Sequence, residues 1–327
     1  MPKAKKAPTD MIKAVAILVG MFLVSVLVLI LTPIVVGLSE KRILASSPVS
    51  SENQNKILGL YSDKKLINKI TSTNIAAPVF SATGVIAIDF ETGQILLEKN
   101  IHQKLSPAST TKIMTALIAS EHYQPADLLT VNPIDNVGGS NMGLNVGEKL
   151  TFRSLLYGMM LNSGNDAAFT IASNYPGGLP AFINAMNSKS SELGLHDSHF
   201  DNPAGFDSDT HLSSAFDLAM IAREAIKKPQ LQRVVSTKET FVSSWTESTS
   251  SGQKHFLKNI NELLEDDTIL GIKTGFTEKA GENFVGLVDR SGHKVVTVIL
   301  NSNDRFGETK KLMDWVYSNY KWIQVFE

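Results

Sequence analysis

The 327-residue chain contains no cysteine. Disulfides, thiolate zinc sites, iron–sulfur clusters and cysteine nucleophiles are therefore excluded. The absence suits an oxidising exterior without requiring one. Charge is also scarce, at 19% of residues, where soluble domains usually carry ~25%. No excess of either sign exists: 31 basic side chains stand against 32 acidic ones. Such a balance argues against a dedicated nucleic-acid binder, which carries a clear basic surplus. No phosphate-binding loop, dinucleotide-binding glycine pattern or HExxH motif occurs, so nucleotide and zinc-peptidase chemistry lack support. Internal repeats and long low-complexity tracts are missing too. What is abundant is apolar: 43% hydrophobic residues supply a sizeable core and exclude wholesale disorder.

Part of that apolar content is concentrated. The run from Ala14 to Ser39 is uncharged and rich in Val, Leu and Ile. As a helix at ~1.5 Å per residue it spans about 39 Å, enough to cross a ~30 Å hydrocarbon core with tilt. Lys3, Lys5, Lys6 and Lys13 precede it against one acid, Asp10, which keeps the N-terminus cytoplasmic and sends the remainder outside. A cleaved signal peptide has a shorter apolar core and a small-residue cleavage site. Here the candidate sites are poor ones, Val35-Val36-Gly37 and Ile43-Leu44-Ala45. The expected organisation is a cytoplasmic tail over 1–13, a single-pass transmembrane anchor over 14–39, a stalk over 40–78 and a globular domain over 79–327. The alternative is a secreted form released after signal cleavage.

Within the globular part, Val85–Ile88 and Gln94–Leu97 read as two strands joined by the turn Glu91-Thr92-Gly93, a hairpin. Pro107-Ala108-Ser109 opens an apolar run, Ile113–Ala119, with the pattern of a buried helix. The stretch 125–260 is mostly helical in pattern, as over Phe152–Met160, Asp166–Ser173, Leu179–Leu193 and Ser214–Ile226. Strands return at Ile269–Lys273, Asn283–Val288 and Lys294–Leu300, and a helix is predicted over Lys310–Ile323. Strands at both ends around a helical insert predict an α+β domain, its antiparallel sheet built from the two ends.

Three short motifs carry chemistry. In Ser109-Thr110-Thr111-Lys112, three residues make nearly one helical turn, so hydroxyl and amine share a face. A serine hydroxyl needs an adjacent base to become a nucleophile. Lysine is such a base when burial and nearby positive charge lower its pKa. Alone, the pattern matches ordinary helix capping. Ser163-Gly164-Asn165 offers a hydroxyl and an amide on a tight turn, yet is also a common loop tripeptide. Lys273-Thr274-Gly275 closes an apolar strand, where Lys and Thr can bind a carboxylate and Gly admits a substrate backbone. Its bland counterpart is a solvated edge lysine that deters aggregation. His196 and His199 lie three apart without a third partner, and read as surface or packing residues.

Taken together, in the order S-x-x-K, S-x-N, K-T-G, the motifs form the signature of penicillin-interacting serine acyltransferases. The chain resembles D-alanyl-D-alanine carboxypeptidases of the low-molecular-mass penicillin-binding-protein type. Asp89–Gly93, Pro107–Lys112, Ser163–Ala167, Asn202–Asp207 with His211, Lys273–Thr277 and Arg305-Phe306 carry the resemblance, which runs over about 80–322. It implies the penicillin-binding-protein/β-lactamase-like transpeptidase fold, an antiparallel sheet flanked by helices with a helical subdomain. It further implies a serine acyl-enzyme acting on peptidoglycan stem peptides ending in D-Ala-D-Ala and acylated by β-lactams, with no cofactor, no metal and no nucleic-acid partner. Ser109 would attack and Lys112 accept its proton. Ser163 would relay a proton, and Asn165 would hold substrate and Lys112. Lys273 would add positive charge, Thr274 and Arg305 would receive the terminal carboxylate, and Gly275 would let the substrate lie along the strand. The N–H groups of Ser109 and Phe276 would form the oxyanion hole. Many relatives carry a further C-terminal β-domain and an amphipathic membrane helix. With the sequence ending at Glu327, anchoring is expected to fall to residues 14–39. The alternatives are a DD-endopeptidase, a class A-like β-lactamase, and a non-catalytic cell-wall-binding or penicillin-sensing protein. A β-lactamase usually has Asp where this chain has Gly164, plus a Glu-bearing loop not seen between Asn165 and Lys273.

Overall fold

The computed structural model describes residues 66–135, 137–246 and 252–326. The expected tail and membrane span, and residues 40–65 of the expected stalk, lie outside the described residues. No described helix is long and apolar enough to cross a membrane.

The described chain begins with strand β1 (Leu66–Ser72), inside the stretch expected as stalk. The hairpin β2 (Gly84–Asp89) and β3 (Ile95–Lys99) follows. A 3-10 turn over Ala108–Thr111 then runs into α1 (Lys112–His122). The middle holds the short strands β4 (Leu128–Thr130) and β5 (Lys149–Thr151) and helices α2 (Phe152–Leu161), α3 (Asn165–Ser173), α4 (Gly178–Glu192), α5 (Ala215–Ile226) and α6 (Pro229–Val235). Next come the hairpin β6 (Glu239–Ser243) and β7 (Lys254–Lys258), then β8 (Ile269–Thr277), β9 (Gly281–Arg290) and β10 (His293–Ser302). Helix α7 (Arg305–Asn319) and strand β11 (Tyr320–Phe326) close the described chain.

The main sheet is antiparallel in the order β3-β2-β10-β9-β8, so both ends of the domain build it. Two-residue periodicity sorts its side chains onto opposite faces. Ile86, Ile88, Val296 and Val298 face the helical core with Leu117, Phe152, Phe182 and Leu218. Val85, Ala87, Val295 and Ile299 face Leu312, Met313 and Val316 of α7. Helix starts are fixed by side-chain caps: Thr151 accepts from Ser154 N–H, Ser214 from Asp217 N–H and Asp304 from Gly307 N–H.

Two predicted features differ. The last helix begins at Asp304's cap and ends at Asn319, and Tyr320–Ile323, expected as its end, belongs to β11 instead. The aromatic and β-branched residues of Tyr-Lys-Trp-Ile-Gln-Val-Phe suit a strand, which pairs with β1. Inside the predicted helical stretch lie two hairpins, β4–β5 and β6–β7. Three-residue strands are too short to show a period, and β6 alternates only between half-buried and exposed positions.

Candidate active site

Ser109 sits in the 3-10 turn, one helical turn before Lys112 at the start of α1. The turn is wedged against β8. A Cβ on Gly275 would lie 3.1 Å from both Pro107 O and Ser109 N, so a side chain there would push strand and turn slightly apart. Ala108, just before Ser109, has φ +48° and Ser163 has φ +60°. Both are left-handed conformations that a non-glycine residue adopts only when its surroundings enforce it.

Lys112 is fully buried. Its Nζ lies 2.9 Å from Ser109 Oγ, 2.8 Å from Asn165 Oδ1 and 2.8 Å from Ala204 O. Asn165 Oδ1 and the Ala204 carbonyl only accept, so they use two N–H bonds. Ser109 is a hydroxyl, able to donate. The array therefore fits a neutral amine whose lone pair points at the serine proton. Burial pushes the Lys112 pKa well below the usual lysine range, the positive charge of Lys273 pushes it further, and Asp166 opposes both.

Several groups hold this arrangement. Asn165 Nδ2 donates to Gly138 O at 2.8 Å, which turns Oδ1 toward Lys112. Asp166 accepts from the backbone N–H groups of Met142, Gly143 and Leu144 at 2.9–3.0 Å, fixing the loop that carries Gly138. Asn202 Oδ1 accepts from Ala204, Gly205 and Phe206 N–H at 2.7–3.1 Å, aiming the Ala204 carbonyl. Gly205 has φ +96° and packs on Ala108, whose carbonyl oxygen a Cβ would meet at 1.8 Å. His211 is buried, and burial drops its pKa to about 4, so it is neutral at pH 7. Asp201 N–H donates to its Nδ1, leaving Nε2–H to donate to Thr111 Oγ1 at 2.8 Å.

Opposite stands β8. Lys273 is buried and donates to Thr274 O at 3.0 Å. Burial and the nearby Arg305 charge lower its pKa to about 7. Thr274 Oγ1 and Arg305 Nε are buried without a hydrogen-bond partner among the described residues, while Arg305 Nη1 reaches Gly275 O at 3.2 Å. Buried polar atoms are normally paired. Two unpaired donors stand beside one glycine strand, a donor set whose chemistry matches an anion. Phe276 follows with its side chain exposed.

Structure thus brings Ser109, Lys112 and Asn165 into direct contact and sets Thr274, Gly275 and Arg305 together on the sheet side. Ser163 is buried in the turn between α2 and α3, and makes no hydrogen bond to Ser109 or Lys112 among the described residues. His199 instead pairs with Asp201 at 3.2 Å, and no cluster of three or more histidines and carboxylates among the described residues could hold a metal ion. Sequence reasoning assigned no role to the Ala204 carbonyl, Asp166, Asn202 or His211. A carbonyl carries no side-chain signal, and the acid is visible only as the neighbour of Asn165.

The chain is similar to known proteins. The D-alanyl-D-alanine carboxypeptidase family profile matches residues 71–304. Carboxypeptidase DacD of Salmonella typhimurium is 33% identical over 267 residues, covering 76% of this chain and 66% of the relative. Carboxypeptidase DacF of Bacillus subtilis is 30% identical over 250 residues, covering 73% and 63% respectively. The chain therefore spans slightly under two thirds of the length of these relatives. The crystal structure of the Streptomyces K15 DD-transpeptidase superimposes with a TM-score of 0.72 at 32% identity, covering 75% of this chain and all of that one. Expected and observed architecture agree in class, an α+β penicillin-binding-protein-like fold. With the profile spanning most of the described residues, the chain belongs to the D-alanyl-D-alanine carboxypeptidase family.

Proposed function

We propose that the protein is a serine D-Ala-D-Ala carboxypeptidase that trims the terminal D-alanine from peptidoglycan stem peptides. The observation that carries this is the Lys112 amine, 2.9 Å from Ser109 Oγ with its two N–H bonds committed elsewhere. The substrate's terminal carboxylate meets Thr274 Oγ1 on β8 and Arg305 at the start of α7, with Lys273 adding positive charge, and its backbone lies against Gly275. Ser109 Oγ bonds to the carbonyl carbon of the scissile amide as its proton passes to Lys112. The N–H groups of Ser109 and Phe276 stabilise the resulting oxyanion. Collapse breaks the C–N bond, and Ser163 delivers the proton to the departing amine while Asn165 holds Lys112. Water then attacks the ester, its proton taken by Lys112, and free Ser109 returns. β-Lactams, which present a strained amide beside a carboxylate, acylate the same oxygen.

The positively flanked run 14–39 supports a single-pass membrane anchor with the domain on the extracytoplasmic side. The resemblance to an enzyme named a DD-transpeptidase favours a second reading, in which an amine replaces water as acyl acceptor. Mass spectrometry of the native protein with and without benzylpenicillin tests the proposal. One stable adduct on Ser109, absent in Ser109→Ala, is expected. Labelling that persists in Ser109→Ala contradicts it, and rapid release of hydrolysed penicillin indicates a β-lactamase. The same spectra report whether residues 14–39 are retained, as the anchor requires.

A further inference from the structure

A recess of about 450 Å³ lies between the outer face of α2 and the β6–β7 hairpin, a volume within the range of small-ligand sites. Arg153 and Tyr157 line it from α2, and Thr240, Phe241 and Ser243 from β6. None of these serves the acylation chemistry. Phe241 is 67% exposed and its cross-strand partner Phe256 is 49% exposed, their rings 4.9 Å apart. The Arg153 guanidinium is exposed and makes no ion pair or hydrogen bond among the described residues. An open aromatic face beside the Arg153 guanidinium and the hydroxyls of Tyr157 and Ser243 does not suit an apolar helix or chain. It suits a sugar, which has an apolar C–H face to stack on a ring and polar edges that take hydrogen bonds. Arginine in particular suits an acetamido oxygen or a sugar-acid carboxylate.

The recess is held at a fixed place relative to the cleft. Buried His255 Nε2 and Glu148 Oε1 meet at 2.6 Å. Trp245 N–H donates to Lys149 O at 2.7 Å, and Asn145 Nδ2 donates to Gln253 Oε1 at 2.8 Å. Lys258 N–H donates to Asn162 Oδ1 at 2.9 Å, on the residue before Ser163. At ~1.5 Å per residue, Tyr157 and Arg153 lie roughly 6 and 12 Å along the helix axis from the α2 terminus that leads to Ser163. A stem of about four residues, at ~3.3 Å each, reaches roughly 13 Å. The stem of a substrate cleaved at Ser109 is thus of the same length scale as the run along α2 from its Ser163 end to the recess.

We infer that the recess is a subsite for the N-acetylated glycan of peptidoglycan, an inference that rests on the function proposed above. Steady-state kinetics on two substrates test it: a free pentapeptide ending in D-Ala-D-Ala, and the same peptide carried on its disaccharide. Phe241→Ser and Arg153→Gln should each raise KM for the disaccharide substrate about fivefold or more, leaving its kcat and the free-peptide constants in place. Equal losses on both substrates, or no loss on either, overturn the subsite. Direct binding separates this outcome from failure of the carboxypeptidase reading. Peptide-free N-acetylglucosaminyl-N-acetylmuramic acid, titrated against the wild-type protein by ligand-observed NMR, should bind, and both variants should weaken it. If the wild type cleaves neither substrate, the function fails, and the titration alone then decides the subsite: absent binding, or binding unchanged in the variants, overturns it.

Discussion

On the helical wall of the cleft, Lys112 meets three polar partners at 2.8–2.9 Å. On the sheet wall, Thr274 Oγ1 and Arg305 Nε are buried with none among the described residues. Both walls hold a buried lysine with a depressed pKa, but for different reasons beyond burial. Lys112 is lowered by its fellow lysine, and Lys273 by Arg305. The polar partners of the helical wall are all supplied by the chain itself, and burial together with Lys273 favours the uncharged amine that the proposed chemistry needs. On the sheet wall the chain leaves these two donors without a partner among the described residues, and in the function proposed above a substrate carboxylate would satisfy them.

Removing the base should produce the largest effect. Lys112→Ala is expected to slow penicillin acylation by about 10²–10⁴-fold, read by stopped-flow labelling, with circular dichroism reporting an intact fold. Near-normal acylation would assign the proton to another group. Next is the sheet wall. Arg305→Ala should raise KM for a carboxylate-ended peptide by roughly 10–100-fold, the scale of a lost charge-assisted hydrogen bond, and should spare a substrate whose carboxylate is amidated. Equal effects on both substrates would break the division between walls.

Asn202→Ala releases three backbone N–H groups and the aim of the Ala204 carbonyl. Its expected cost is about 1–3 kcal/mol of stability, read by denaturant melts, with slower acylation because Lys112 loses a fixed acceptor. The smallest effect is on pH. The folded pKa of Lys273 is about 7, below its unfolded value, so its charge is lost as pH rises through about 7. KM should increase across that window. Acylation should instead fall as pH drops through the depressed pKa of Lys112, because the protonated amine cannot accept the serine proton. An initial-rate profile from mildly acidic to mildly alkaline pH separates the two limbs.

Much of this was legible in the sequence because it depends on local spacing. Three residues on a helix bring Ser109 and Lys112 onto one face, and strict alternation fixes the inner and outer faces of β2 and β10. The rest depends on distant backbone. That Ala204 O completes the shell of Lys112 follows from a loop 92 positions away, and no side chain announces it. Gly205 was visible as a residue, but its need for a left-handed φ appears only once Ala108 packs against it. The β4–β5 pair falls below any periodic signal, whereas Tyr320–Phe326 is rich in aromatic and β-branched residues, a strand signal outweighed by the helix before it.

The most direct test of the account is the ionisation of Lys112 itself. With ¹³C-labelled lysine, and Lys112→Arg to assign its resonance, the Lys112 Cε signal should titrate well below pH 10.5, apart from the surface lysines. Titration of Lys112 together with the surface lysines would mean a charged ammonium at neutral pH, and would contradict its role as the base that activates Ser109.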